Sequence, residues 1–194
     1  MRAFLGISLP EQIRASLVTL QEQLAESQAD VKWVAPEQLH VTLKFLNEIS
    51  EERTQQVTQF LRSIAQKTPA FMLQLQDLGA FPSVSDPRIL WVGVREGGVA
   101  VVALAAAIEE QCRAYRLKRE DRAFSAHATI GRVRSPRRRE ALVQRLRETT
   151  WDAPASWRAT SVTFYQSVLG QAGPTYTVLA ELPLASPSSI VDSP

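Results

Sequence analysis

The two histidines of the chain lie in the same four-residue frame. His40-Val41-Thr42-Leu43 is one copy, and His127-Ala128-Thr129-Ile130 is the other. Side chains alternate along a β-strand, so each frame would present its histidine and threonine on one face and its apolar side chains on the other. Imidazole titrates near neutral pH, so two such strands facing one groove would supply a general acid and a general base. The threonine hydroxyls could donate hydrogen bonds to phosphate oxygens. A single histidine on a strand more often has a structural role, but the repeated frame favours a catalytic role for this pair.

The hydrophobic pattern predicts an α+β fold in which the strand carrying the frame occurs twice. We therefore expect a duplicated, two-lobed arrangement within a single domain spanning residues 1–185. Residues 186–194 are rich in Ser and Pro and are expected to be disordered. Strands are predicted over residues 3–8, 31–34, 39–46, 71–78, 88–95, 126–133, 157–168 and 176–184. Helices are predicted after Pro10, over 51–66, from Gly98 to about 117, and from a Ser135 cap to about 148.

Composition places the chain among ordinary globular proteins. Of its 194 residues 45% are hydrophobic and 22% charged, which excludes intrinsic disorder for the body of the chain. The longest apolar run, residues 99–108, is too short for a membrane helix, and the start lacks a signal-peptide cleavage site. A cytoplasmic location, no membrane association and a monomer are expected. The single cysteine, Cys112, excludes an internal disulfide and is expected to be buried and inert. Two histidines without paired acidic residues make a poor metal site, so no metal or cofactor is expected.

Positive charge is concentrated in one segment. The net charge is only +2, but residues 113–147 contain 12 Lys and Arg against three acidic residues. Guanidinium groups match phosphate oxygens, so this segment suggests a polyanionic partner such as RNA. We expect Arg134, Arg137, Arg138 and Arg139 to follow the phosphates of a single strand. The alternative is a solvated helix face.

The sequence around both frames resembles the 2H phosphoesterases, and specifically the RNA 2′,3′-cyclic phosphodiesterases once called 2′-5′ RNA ligases. The resemblance rests on VKWVAPEQLHVTLKFLNE and FSAHATIGRVR, and extends through RAFLGISLP, PRILWVGV and SVTFYQSVLGQAGPTYTVLAEL. Two positions depart from the family pattern. Ala126 replaces a Pro before the second histidine, and Asn47 replaces the Gly of the first signature. Neither is a titrating group, so the changes bear on the geometry of strand ends.

The resemblance implies a bilobal fold with antiparallel sheets flanked by helices around a central cleft. It implies metal-independent hydrolysis of RNA 2′,3′-cyclic phosphate ends, tRNA fragments included, to 2′-phosphates, with 2′-5′ ligation as the reverse reaction. His40 and His127 would be catalytic, with His40 favoured as acid and His127 as base, although the residues alone do not assign these roles. Thr42 and Thr129 would bind the phosphate. Arg132 matches a family arginine, but its strand parity is opposite to that of His127, so a bulge or strand end would have to bring it to the cleft.

Other side chains have competing interpretations. Lys44 shares the parity of His40 and could contact RNA phosphates, or it could be a solvated lysine. Phe45 is expected in the core instead of stacking on a base, and Trp33 and Trp91 are also expected in the core. Tyr165 could line the cleft or stack on a base.

Three functional alternatives compete with the RNA phosphodiesterase. The first is a 2H enzyme acting on small nucleotide cyclic phosphates. The second is a non-catalytic RNA-binding protein that uses the basic segment. The third is a metalloenzyme, which the poor ligand set disfavours.

Overall fold

The computed structural model describes residues 1–118, 123–152, 154, 156–170 and 173–186. Four helices lie within these residues: α1 (Glu11–Ala25), α2 (Glu51–Lys67), α3 (Gly98–Ala114) and α4 (Arg139–Glu148), with a short 3-10 turn at Pro36–Gln38. The strands in the same part of the chain are β1 (Arg2–Ser8), β2 (Val31–Trp33), β3 (His40–Glu48), β4 (Phe71–Leu73), β5 (Leu75–Pro82), β6 (Pro87–Val94), β7 (His127–Val133), β8 (Trp157–Ala159), β9 (Ser161–Gly170) and β10 (Gly173–Pro183).

Eight strands form one antiparallel sheet with two related halves. The order is β10-β9-β1-β3-β7-β6-β5, and β2 pairs with the far end of β7. The order β9-β1-β3 in the first half is mirrored by β5-β6-β7 in the second. Each half therefore combines strands from separate parts of the chain. The predicted α+β fold with antiparallel sheets is confirmed.

The helices supply the apolar cover of this sheet. α2 and α3 pack together, with α2 against β9 and β10 and α3 against β3, while α1 packs against β7 and α4. Ile13, Leu17, Leu20 and Leu24 recur at helical spacing along α1 and are all buried. Gln21 lies among them and donates hydrogen bonds of 2.8 Å to the carbonyls of Val34 and Ile130. This amide ties α1 to the strand that carries the second frame.

Two predicted strands are broken in the structure. The strand expected over 71–78 divides into β4 and β5 at Gln74, and the one expected over 157–168 divides into β8 and β9 at Thr160. The reason is shared: β4 and β8 pair with each other in a separate two-stranded sheet. The apolar pattern of each segment continues through the break, so the sequence does not reveal it.

The helix predicted from Ser135 begins later, at Arg139. Ser135 instead accepts a hydrogen bond from the Arg137 backbone N–H, within a turn. Arg138 precedes the helix with φ +53°, and its Nε donates to the Ser27 carbonyl at 3.1 Å. The start of α4 thus carries a long-range contact and no side-chain cap. By contrast, the Ser50 hydroxyl caps α2 by accepting from the Arg53 N–H.

Two expectations fall partly outside the described residues. The predicted disordered tail includes 187–194, and the basic segment 113–147 includes 119–122; neither range is described. Among the described helices, none combines the length and apolar character that a membrane crossing requires.

Asn47 occupies a position where the backbone favours glycine. Its φ is +57°, at a bulge where the β1–β3 register shifts between Ala3 and Phe4. Left-handed backbone is costly for most side chains, and Asn is among the few that tolerate it. Asn is therefore compatible with the left-handed backbone at this position, which a glycine would also adopt.

We expect Asn47→Ala to lower the free energy of unfolding by about 1 kcal/mol, because alanine is strained at positive φ. Asn47→Gly should leave it unchanged or raise it, because glycine adopts this conformation freely. Urea denaturation of both variants tests this, with Glu48→Ala at the exposed neighbouring position as the control. Equal destabilisation by Ala and Gly would show that the Asn side chain, not its backbone, matters.

Candidate active site

The two histidine frames lie on neighbouring strands. Within the described residues, β3 and β7 pair through Val41 and Ala128 alone. An antiparallel register centred on this pair sets His40 across from Thr129, and Thr42 across from His127. Because alternate residues share a face, both imidazoles and both hydroxyls lie on one side of the sheet, as the frames predict.

Each imidazole is anchored in the same way. His40 Nδ1 lies 2.6 Å from the carbonyl oxygen of Gln38, and His127 Nδ1 lies 2.7 Å from that of Ser125, two residues upstream in both cases. A carbonyl only accepts, so Nδ1 carries a proton and donates it to this bond. Nε2 is therefore the nitrogen left to react. In the first frame, Nε2 of His40 lies 2.9 Å from the Thr42 hydroxyl.

Burial lowers the pKa of both imidazoles below the ordinary value. For His40, burial is the main cause, the Gln38 hydrogen bond opposes it, and positive charge on His127 lowers the pKa further. For His127, burial is again the main cause, the Ser125 hydrogen bond opposes it, and the Arg132 charge lowers the pKa further. Both histidines are therefore mainly neutral in the free protein at neutral pH. The pKa of His40 also depends on the charge of His127, and that of His127 on the charge of Arg132.

A β-bulge follows each frame at the same distance from the histidine. In β3, Thr42 pairs with Gly6 and Lys44 with Leu5, so Leu43 is the extra residue. In β7, Thr129 pairs with Trp91 and Gly131 with Leu90, so Ile130 is the extra residue. A bulge reverses the facing of the residues beyond it. The fifth residue after each histidine, Phe45 or Arg132, is thereby turned to the histidine side of the sheet.

The bulge in β7 turns Arg132 toward the cleft, which the alternation of side chains along a regular strand would not do. Burial is the main cause of the lowered pKa of His127, and the Arg132 charge lowers it further. Burial raises the pKa of Tyr176, whose ring lies against His40, and the Arg132 charge opposes that rise. Lys32 of β2 is directly opposite Arg132 in the strand register and shares its face. The sequence alone carries no signal for Lys32, because β2 is short and its pairing with β7 is not visible in the pattern.

Both interpretations of Lys44, contact with RNA phosphates and a solvated lysine, are wrong. Lys44 is 4% exposed, and its Nζ lies 2.8 Å from Glu109 Oε2 on α3. The bulge turns Lys44 away from His40 and toward the helices. The expectation that Phe45 is a core residue is also wrong, because it is 50% exposed.

Aromatic rings surround His40. Phe4 lies 4.7 Å from the imidazole centroid, Tyr176 5.5 Å and Tyr165 6.1 Å. Tyr165 therefore lines the cleft next to His40. Gly6 lies beneath these rings, where a Cβ would come within 2.9 Å of the Val41 carbonyl oxygen and 3.3 Å of His40 Cδ2. Phe4 and Tyr176 are members of the site that carry no signal in the sequence alone.

A second aromatic pair flanks His127. The Phe81 ring lies 5.1 Å from the imidazole and the Trp91 ring 6.2 Å. Trp91 pairs across from Thr129 on the same face, so the expectation that it is a core residue is wrong. Its indole ring covers Gly79, where no Cβ would fit. Trp33 is partly buried and packs on the core, as expected.

The arginine segment is divided between structural contacts and exposed positions. Arg138 contacts the Ser27 carbonyl, and Arg139 Nη1 forms an ion pair of 2.7 Å with Asp86. These two arginines join α4 to distant segments, and the expectation that all four arginines follow RNA stays a prediction. Arg134 and Arg137 are exposed, beyond the end of β7 opposite His127.

The remaining candidates for chemistry lie apart from the cleft. Cys112 is buried on α3, and burial raises the pKa of its thiol to about 11. In the described parts of the chain, no three His, Cys, Asp or Glu side chains cluster in a way that could hold a metal ion.

Comparison with known proteins relates this geometry to a family. The family described as LigT like Phosphoesterase matches the chain twice, over residues 7–91 and 92–176. The RNA 2′,3′-cyclic phosphodiesterase of Methanothermobacter thermautotrophicus is 31% identical over 177 residues, covering 91% of this chain and 95% of that protein. The enzyme of the same name from Aeropyrum pernix is 32% identical over 170 residues, covering 88% of this chain and 96% of that protein.

Solved structures share the fold. TT0787 of Thermus thermophilus superposes with a TM-score of 0.79 and 27% identity, covering 96% of this chain and 100% of that one. E. coli LigT complexed with 3′-AMP superposes with a TM-score of 0.75 and 26% identity, covering 94% of this chain and 97% of that one. With one histidine frame inside each of the two matched segments, this chain belongs to the LigT-like, or 2H, phosphoesterase family.

Proposed function

We propose that the protein hydrolyses 2′,3′-cyclic phosphate ends of single-stranded RNA to 2′-phosphomonoesters, without a metal or cofactor. The observation that carries the proposal is the pair of imidazoles, each anchored through Nδ1 to a carbonyl and presented on the same face beside a threonine. The relatives named RNA 2′,3′-cyclic phosphodiesterase support the substrate. The 3′-AMP complex of E. coli LigT supports a cleft that accepts a nucleotide.

In the proposed mechanism, Nε2 of His127 takes a proton from water as its oxygen attacks phosphorus. The P–O3′ bond breaks, and Nε2–H of His40 donates its proton to the departing 3′-oxygen. The products are a 2′-phosphomonoester and a 3′-hydroxyl, and the two histidines exchange protonation states before resetting through solvent. We assign His40 as acid and His127 as base from the family resemblance.

The threonines and Arg132 would bind the phosphate. The Thr42 hydroxyl contacts His40 Nε2 in the free protein and could rotate to a non-bridging oxygen once the substrate is bound. Thr129 is the equivalent group in the second frame. A 5′-hydroxyl that attacks phosphorus in place of water, with the same loss of the 3′-oxygen, would give a 2′-5′ linkage. We expect the protein to act as a monomer in the cytoplasm on RNA-processing products, tRNA fragments among them.

Incubation of the purified protein with an oligonucleotide ending in 2′,3′-cyclic phosphate, with EDTA present, tests the proposal. We expect a 2′-phosphate product and undiminished activity. A 3′-phosphate product, or activity that EDTA removes and Zn²⁺ or Mn²⁺ restores, would overturn it.

In the same assay, His40→Ala and His127→Ala should each lower kcat by about 10²- to 10⁴-fold, the range for one general acid or base. The double variant should lose much less than the product of the two, because the pair acts as a unit. A cyclic substrate with sulfur in place of the 3′-oxygen has a leaving group that needs no acid, so it should restore turnover by His40→Ala but not by His127→Ala. The opposite pattern would reverse the roles, and near wild-type turnover by both folded single variants would contradict the mechanism.

The pH dependence follows from the lowered histidine pKa values. We expect both imidazoles to titrate below their ordinary pKa of 6.5 in the free protein, so the optimum of kcat/KM lies on the acidic side of that value. Bound cyclic phosphate carries negative charge, which favours imidazolium, so the kcat profile should shift to higher pH.

Nuclear magnetic resonance can follow the titration of each imidazole separately, because the chain has only two histidines. Arg132→Gln should raise the pKa of the His127 signal, because it removes a nearby positive charge. The His40 signal should move less. A free-protein titration at or above the ordinary pKa of 6.5 for both imidazoles would contradict the electrostatic account.

For the basic segment, we expect the Arg134→Gln/Arg137→Gln variant to weaken binding of a cyclic-ended oligonucleotide. The slope of log affinity against log salt should flatten by about 0.7 per lost phosphate contact. KM for a 2′,3′-cyclic mononucleotide should not change, and Arg62→Gln on α2 is the control. Equal effects on both substrates would mean that these arginines are only a solvated surface and would favour a small-nucleotide enzyme.

A further inference from the structure

Lys32 places a second cation beside Arg132 on the histidine side of the sheet. The two residues are directly opposite each other where β2 pairs with β7. Val31 and Trp33, the neighbours of Lys32 in β2, pack on the hydrophobic core, so Lys32 faces the other way, into the cleft. Like charges directly opposite each other destabilise a sheet. An anion bound next to both cations would replace this repulsion with two attractions.

Contacts with the start of β10 show where the Lys32 ammonium lies. Gly173, the first residue of β10, has a φ of +134°, and a Cβ on it would come within 2.7 Å of Lys32 Nζ. The side-chain amide of Gln38 donates to the carbonyl of Pro174, the next residue of β10, while the carbonyl of Gln38 anchors His40. The ammonium therefore lies where β2, β10 and the segment that anchors His40 meet.

The strand register sets the distance between Lys32 and the reacting groups. Thr129 lies across from His40, and Arg132, three residues further along β7, lies across from Lys32. Three residues of strand, one of them the bulged Ile130, span about 7 to 10 Å. This separation is close to that of neighbouring phosphates in an RNA strand. Lys32 therefore suits a second phosphate, next to the one that reacts.

Basic side chains continue beyond Lys32 on the same face. The backbone N–H of Arg134 donates to the carbonyl of Asp30 at 2.8 Å, which extends the pairing of β2 with β7 by one residue. Because alternate residues share a face, the exposed Arg134 follows Arg132 on the cleft side. The three cations form a row that leads away from the histidines.

The proposed roles of the histidines indicate which phosphate lies at this end of the cleft. His40 protonates the departing 3′-oxygen, so the terminal ribose stays beside His40, while water attacks from the side of His127. The 5′-carbon belongs to the same ribose as that 3′-oxygen. The phosphate that lies next to His40 and toward Lys32 is therefore the one attached to this 5′-carbon, which joins the terminal nucleotide to the rest of the RNA.

We propose that Lys32 binds the phosphate on the 5′ side of the terminal nucleotide, while Arg132 binds the cyclic phosphate. This rests on the proposed function. The lysine ammonium is a compact point charge that binds phosphate without demanding one orientation. Every RNA end carries this internucleotide phosphate, whereas a cyclic nucleotide with a free 5′-hydroxyl lacks it. The subsite would thus select RNA ends over such nucleotides without selecting sequence.

The test compares KM for a nucleoside 2′,3′-cyclic phosphate with a free 5′-hydroxyl and for the same nucleotide with a 5′-phosphate. In the parent protein the 5′-phosphate should lower KM by about 10-fold, the usual effect of one hydrogen bond to a charged group. Lys32→Gln should remove this difference by raising KM for the 5′-phosphorylated substrate alone, with kcat unchanged for both. Lys67→Gln, at the exposed end of α2, is the matched control and should keep the difference.

A second arm needs no variant of the protein. A cyclic-ended dinucleotide whose internucleotide linkage is a neutral methylphosphonate should have a KM about 10-fold above that of the ordinary dinucleotide in the parent, and the same KM in Lys32→Gln. Equal KM for the charged and neutral linkages in the parent would overturn the proposal. So would an equal effect of Lys32→Gln with and without the 5′-phosphate, which would assign Lys32 to the cyclic phosphate.

A binding measurement separates this proposal from the proposed function. By calorimetry, the parent protein should bind adenosine 2′,5′-bisphosphate about 10-fold more tightly than adenosine 2′-phosphate, and Lys32→Gln should bind the two equally. A preference for the bisphosphate that depends on Lys32, without any hydrolysis of cyclic ends, would support the subsite and contradict the phosphodiesterase. Hydrolysis of cyclic ends without this preference would do the reverse.

Discussion

The backbone pairing of Val41 with Ala128 joins the two halves of the large sheet and sets the spacing of the chemical groups around it. One residue on either side of this pair lie the two histidines and the two threonines. The halves are interleaved, because β9 completes the half that contains β1 and β3, and β5 completes the half that contains β6 and β7. Separating the imidazoles would therefore disturb strands from both ends of the chain. This interlocking brings two distant sequence segments into one site.

The repeated bulge gives the two frames equal geometry and unequal chemistry. At the fourth residue after the histidine, β3 has Lys44 and β7 has Gly131, which leaves room for Val31 and Trp33 of β2. Lys44 is matched instead by Glu109 from α3. A buried lysine is tolerated because it is paired, and removing its partner would leave a costly buried charge. The duplicated backbone thus supports an aromatic surface at one end and a cationic one at the other.

Burial of the imidazoles has opposing consequences for proton transfer. It favours the neutral form, which suits a base, and disfavours the imidazolium that an acid requires. The Gln38 and Ser125 carbonyls oppose this by accepting from Nδ1, which favours the protonated ring. An anionic phosphate between the rings would favour imidazolium further. Substrate binding and protonation of the acid are therefore coupled, and a site of this kind gains its second proton most readily when the phosphate is present.

The histidine frames, the strands that carry them and the doubling of the fold could all be predicted from the amino-acid sequence, because alternation along a strand is a local property with a fixed period. The same alternation indicated that Arg132 could reach the cleft only through a bulge or a strand end. The facing of Lys44 and Phe45 could not be predicted, because a bulge depends on register with a partner strand and reverses the parity of the residues beyond it. Likewise, Arg138 and Arg139 belong to a uniform basic run in the sequence, and only the folded chain brings their partners, Ser27 and Asp86, beside them. Contacts between residues far apart in the chain leave no periodic signal, so they are settled by packing alone.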